Sequence, residues 1–173
     1  MTYETVTEPL CHGNKRLLFV RTVTPLIEEQ PIIEDFYRDL ARSCRTFCRE
    51  TLLPRLAERD EEVSVFGFLY RYTVHAEVTY ADRDWLACRL SVSLREEKTG
   101  MKRMSFGDGQ VFGLADGRIL PPGRVLKLFC DRQTRKSCHP HRGALLPEDG
   151  QLKQWRDGVW QTVGALRGEE LTV

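Results

Sequence analysis

The stretch that decides the fold is Trp85–Leu120, WLACRLSVSLREEKTGMKRMSFGDGQVFGLADGRIL. From Leu86 to Leu94 the apolar residues Leu86, Cys88, Leu90, Val92 and Leu94 alternate with Ala87, Arg89, Ser91 and Ser93. That two-residue period is the signature of a strand with one buried and one wet face. Glu96-Glu97-Lys98-Thr99-Gly100 reads as a turn, Lys102–Leu114 as a returning strand, and Ala115-Asp116-Gly117 as a second turn. The stretch therefore describes antiparallel strands, and nothing in it names a reaction.

Outward from this hairpin, Val63–Tyr72 and Thr73–Tyr80 read as two further strands, with Asp82-Arg83-Asp84 turning into Trp85. Upstream, Tyr3–Thr24 reads as a hairpin around His12-Gly13-Asn14. Pro25 stops it, and Gln30-Pro31 opens a helix with Glu34 and Asp35 near the positive end of its dipole. Ile33, Phe36, Tyr37, Leu40, Cys44, Phe47 and Cys48 recur at helical steps, so Phe36, Leu40, Cys44 and Phe47 are expected against a sheet. Pro54 removes a donor and clashes with the preceding turn, predicting that the helix kinks or ends near Thr51 and resumes for a turn through Leu56 and Ala57. Arg124–Phe129 reads as a short helix and Asp131–Glu148 as a mobile loop without periodicity. In Gln151–Gly168 the glycines Gly158 and Gly164 favour a turn and strand over a helix. The expected fold class is α+β: one long kinked helix packed on an antiparallel sheet, in a single domain spanning residues 1–173.

Composition narrows the functional classes. With 26 Lys and Arg against 25 Asp and Glu, the formal net charge of +1 supplies no overall drive toward nucleic acid or anionic lipid. No apolar run approaches the roughly 18 residues of a membrane span, and the N-terminus lacks the pattern of a secretory signal. The expectation is a cytoplasmic protein with no membrane partner, its 6 cysteines held as thiols by a reducing compartment.

Candidate chemistry is sparse. Cys130, Cys138, His139 and His141 offer four soft ligands, but without the Cys-x-x-Cys spacing of a zinc knuckle. The segment is therefore expected to be a metal-free surface loop, with Cys130 partly buried. Arg124, Lys127, Arg132, Arg135, Lys136 and Arg142 make residues 124–142 basic, yet no aromatic residues are interleaved for stacking on bases. Asp82 and Asp84 resemble an acidic metal pair but sit where turns favour Asp. His75 and Glu77 share a strand face without a nucleophile beside them, and Gly107-Asp108-Gly109 lacks the Lys-Ser/Thr of a phosphate loop.

The order of elements also carries a resemblance. Val23-Thr24-Pro25-Leu26-Ile27 followed by Ile33–Ala41 resembles a strand–Pro–helix opening. Leu90–Leu94 is similar to a central Leu-Ser-Val strand, and Gln110–Leu120 to a Gly-containing hairpin. Together, over Thr22–Leu126, they resemble the bacterial domain-of-unknown-function family of the extracellular, lysozyme-binding part of the sigma-V anti-sigma factor. The same domain occurs beside some peptidoglycan deacetylase domains. Glu97–Lys102 departs from that family's Gly-Gly-Ala-His-like turn, so lysozyme binding and an envelope location do not carry over. What the resemblance implies is a bacterial binding or accessory domain with no catalytic residue and no cofactor.

The functional expectation is a non-catalytic domain that binds a protein partner or itself, through the wet strand face bearing His75, Glu77, Arg89, Ser91 and Ser93. The alternative is a metal-dependent hydrolase, or an anion- or nucleic-acid-binding protein, working through the basic Cys/His loop of 124–142.

Overall fold

The computed structural model describes residues 2–59, 67–130, 135, 138 and 143–167. Two antiparallel strands come first, β1 (Thr2–His12) and β2 (Lys15–Leu26), paired from Thr2↔Leu26 to His12↔Lys15 with a bulge between Leu10 and Cys11. A continuous helical segment follows: α1 (Pro31–Phe47), a π-helical turn at Cys48–Leu52, and α2 (Leu53–Arg59). Strands β3 (Tyr70–Ala81), β4 (Trp85–Glu96) and β5 (Lys102–Gly113) complete a sheet ordered β1-β2-β3-β4-β5. After α3 (Pro122–Phe129), strands β6 (Leu145–Glu148), β7 (Gln151–Arg156) and β8 (Val159–Ala165) form a second, antiparallel sheet.

This corrects the expected fold class. Strands make up 53% of the described residues and helix 26%, so the protein is mostly β with two sheets rather than one helix on one antiparallel sheet. The first sheet is mixed, because β2 and β3 run parallel from Leu18↔Tyr70 to Val23↔His75. A parallel pair needs a long crossover, which the 29-residue helix provides. The second sheet arises where no periodicity was read: Leu145–Glu148 is a strand buried at every position. At 63–72 only Tyr70–Tyr72 is strand and continues straight into the next run, while 60–66 lie outside the described residues.

The helix does not break before Pro54. It widens by one residue, Leu53 N–H donating to the Cys48 carbonyl, and this π turn accommodates a ring that would clash inside a regular helix. Its buried stripe is Ile33, Tyr37, Ala41, Cys48 and Leu56, whereas Phe47 is 40% exposed. Both stripes obey helical spacing. Ile33, Tyr37 and Ala41 of the inner one are the buried residues of α1, which packs against β2.

Backbone packing divides the chain into two units, Met1–Ala76 with Ser91–Phe106, and Glu77–Leu90 with Gly107–Val173. In unit 2, Ala87, Val111, Val125, Leu126, Phe129, Cys130, Cys138, Leu145, Leu146 and Leu152 form one core. Ala87, expected on the wet face, is fully buried there. Three glycines of this unit stand where a side chain has no room. A Cβ at Gly107 would lie 2.6 Å from the Trp155 ring, at Gly109 2.3 Å from the Leu145 carbonyl oxygen, and at Gly143 2.2 Å from the Trp155 carbonyl oxygen. Gly107-Asp108-Gly109 is thus a packing device within β5. Among the described residues no helix is long and apolar enough to cross a membrane.

Candidate functional site

The strand face expected to bind a partner is split between the units. In unit 2 it is occupied from within. Arg89 Nη2 lies 2.7 Å from Glu77 Oε2 and its Nη1 lies 2.9 Å from Glu148 Oε1, while Lys153 Nζ pairs with the other Glu148 oxygen. Thr79 Oγ1 donates to the Pro147 carbonyl at 2.9 Å. Burial works against the Arg89 charge, but Glu77 and Glu148 outweigh it and hold the guanidinium above its ordinary pKa. Glu148 is only 6% exposed, so either cation's removal would strand a buried carboxylate. Arg89 therefore ties Glu77 of β3 to Glu148 of β6, with both the Arg89 and Glu77 side chains partly exposed.

In unit 1 the same face stays open. Ser91 Oγ donates to the His75 carbonyl at 3.3 Å, and the His75 ring lies 6.4 Å from Tyr3. Ser93 lines a shallow groove of about 440 Å³ with Arg71, Thr73, Arg95 and Glu97. Arg71 grips Glu97 with both prongs, at 2.8 and 3.2 Å, and lies 5.2 Å above the Phe19 ring. Its hydrogen bonds hold the Glu97 carboxyl below the usual carboxylate range. This groove is polar and largely self-paired.

Sequence reasoning missed the outer edge of β5. As the last strand of the five, β5 has no described strand beyond it, and Lys102–Phe106 is exposed at every position. Met101, Met104 and Phe106 are 46%, 36% and 51% exposed, a run of large apolar groups left in water. The signal was legible in Lys102-Arg103-Met104-Ser105-Phe106, where polar and apolar residues are present but charge occupies a strand start without any partner strand to follow it. On the face carrying Leu94 and Tyr70, Arg103 joins Leu52, Arg55, Leu56, Glu58 and Arg59 of the helical segment around a cleft of about 890 Å³. Arg103 Nη2 is held 2.6 Å from Glu96 Oε2. The opposite edge, β1, differs: it carries Glu4 and Glu8, Pro9 and the bulge at Leu10/Cys11.

The remaining candidates fall into structural roles or outside view. Asp82 Oδ1 accepts from the N–H groups of Asp84 at 2.8 Å and Trp85 at 2.7 Å, so Asp82 builds a turn. Cys130 and Cys138 are buried in the unit 2 core as thiols, which places Cys138 inside rather than on the expected surface loop. Cys138 Sγ lies 4.0 Å from Gln154 Oε1; burial raises its pKa and the Arg156 charge partly offsets that. Arg156 Nε donates to the same oxygen at 2.7 Å. His139 and His141 lie outside the described residues, as do Arg132, Lys136 and Arg142, while Arg124 and Lys127 are exposed on α3. Among the described residues no three His, Cys, Asp or Glu side chains gather as metal ligands.

No family model and no curated protein matches this sequence. Among solved structures, the chain is similar to a DUF3298 family protein from Pseudomonas aeruginosa PAO1, with a TM-score of 0.47 and 12% identity over 88% of this chain and 78% of that one. It is also similar to a DUF3298 member from Bacteroides fragilis, with a TM-score of 0.36 and 10% identity over 79% of this chain and 65% of that one. Its structural neighbours are thus members of DUF3298, a domain-of-unknown-function family.

Proposed function

We propose that this chain is a non-catalytic binding domain that takes an extended segment of a protein partner along the outer edge of β5. One observation carries the reading: five consecutive edge residues, Lys102–Phe106, are exposed beside apolar groups that a partner could cover. An edge strand offers unpaired N–H and C=O groups in strand register, so an added strand gains main-chain hydrogen bonds from the edge and side-chain burial from Met104 and Phe106. The resemblance of Thr22–Leu126 to the binding domain of the sigma-V anti-sigma factor agrees with a role in recognition. On the β3–β4 face, Glu77 and Arg89 are engaged with each other and with Glu148, whereas His75, Ser91 and Ser93 lie in unit 1.

The test uses the whole chain and fluorescent, strand-forming peptides of about nine residues, the length of an ordinary strand or slightly more. Alternating Thr-Val, Glu-Val and Lys-Val peptides are titrated by anisotropy. At least one is expected to bind, and the exposed double variant Met104→Ser/Phe106→Ser to weaken it by about tenfold or more, a change of about 1.4 kcal/mol. Equal binding by the variant, or no binding by any peptide, overturns the reading.

A further inference from the structure

Resting on that edge reading, we infer that the segment accepted by β5 is acidic, and that Arg55, Arg59 and Arg103 select it. All three line one cleft in unit 1, with Leu52, Leu56, Tyr70 and Leu94 beside them and Glu58 as the only carboxylate among the described lining residues. Arg55 and Arg59 stand four residues apart on α2, where like charges repel, and neither has a counter-ion among the described residues. The helix C-terminus favours Arg59 through its dipole, but that favour fades within one turn and does not reach across to Arg103. Arg103 is on β5 itself, so one residue belongs both to the edge and to the cleft.

Side chains of a strand alternate between faces. A segment laid beside β5 would therefore send every second side chain toward the face of Arg103, Tyr70 and Leu94. Carboxylates there meet the field of Arg55 and Arg59 and compete with Glu96 for Arg103, which Glu96 holds at 2.6 Å, while apolar side chains on the other face meet Met104 and Phe106. Lys102 and Arg103 also disfavour pairing of β5 with β5 of a second copy, because like charges would be brought together. The acidic edge of β1 in a second copy is a poor substitute, since Pro9 lacks an N–H and the bulge interrupts its register. The occupant is thus an acidic extended segment of another protein.

The same three peptides separate this inference from the reading beneath it. In the native chain the Glu-Val peptide is expected to bind about tenfold tighter than Thr-Val, with Lys-Val weakest and the preference shrinking as salt rises from about 50 to about 300 mM. In Arg55→Gln/Arg59→Gln the preference of Glu-Val over Thr-Val is expected to fall below about threefold. Equal binding of Glu-Val and Thr-Val, or a preference that survives the double variant, overturns the acidic selection while leaving edge binding intact. Failure of every peptide overturns both. Concentration-dependent sedimentation of the native chain that Glu4→Gln/Glu8→Gln abolishes would assign the edge to a second copy and overturn the inference.

Discussion

Gly109 shows how little slack unit 2 has at the level of single residues. Its missing side chain lets the Leu145 backbone approach β5, so Gly109→Ala should destabilise by about 1–3 kcal/mol through overpacking. Gly123, with nothing within 4 Å of a Cβ, is the control, and its alanine variant should keep the native denaturant midpoint. Next to Gly109, Asp108 carries a pH signature. Burial raises its carboxyl pKa, and the Gly109 N–H and Gln110 side chain only partly offset this. Because the folded value lies above the ordinary 3.8, the protonated form is favoured by folding. That contribution is present at low pH and is lost as pH rises through the raised value. Asp108→Asn should therefore stabilise the protein at neutral pH and make no difference below the ordinary carboxylate range, as read from denaturant midpoints across pH. A native chain equally stable relative to the variant at both ends would contradict it.

At the scale of elements, the main helix tests which stripe faces inward. Ile33→Ala should cost about 2–5 kcal/mol, because Ile33 is fully buried. Phe47→Ala should cost clearly less, since Phe47 is 40% exposed and touches Tyr72 only at a ring-centroid distance of 6.3 Å. An equal shift in denaturant midpoint for the two would restore the outer stripe. The helix itself, its opening at Pro31 and the disturbance ahead of Pro54 were all legible, because capping, dipole and ring sterics act locally. Its phase was not, since two stripes shared the same spacing and only the packing of α1 on β2 separates them. In the second sheet, the turn and strand of Gln151–Gly168 were legible, but β6 was hidden for another reason. The strands are short, and Glu148, Gln154 and Lys153 interrupt the alternation because the carboxylate is neutralised by cations from β4 and β7. The legible signal lay in the turns: Asp149-Gly150 and Asp157-Gly158 both have positive φ at each residue, the geometry of tight hairpin turns. Gly158→Ala should consequently lower stability by about 1 kcal/mol or more, because its φ of +81° strains any side chain.

For the molecule as a whole, the alternation at Leu86–Leu94 gave the correct buried side of β4, yet not the use of the other side. A period of two says which residues share a face and is silent on what covers that face. In unit 2, Glu148 of β6 engages Arg89, which also holds Glu77; in unit 1, Ser91 and Ser93 have no such partner strand over them among the described residues. The binding edge escaped for a related reason, because strand order, which places β5 last, is set by the parallel β2–β3 crossover and has no local sequence code. The central claim, that β5 accepts an added strand, is tested most directly by amide hydrogen exchange on the whole chain with and without the Glu-Val peptide. The account requires slowed exchange in Lys102–Phe106 with β1 unchanged; unaltered exchange in Lys102–Phe106, or protection appearing in Thr2–His12 instead, would contradict it.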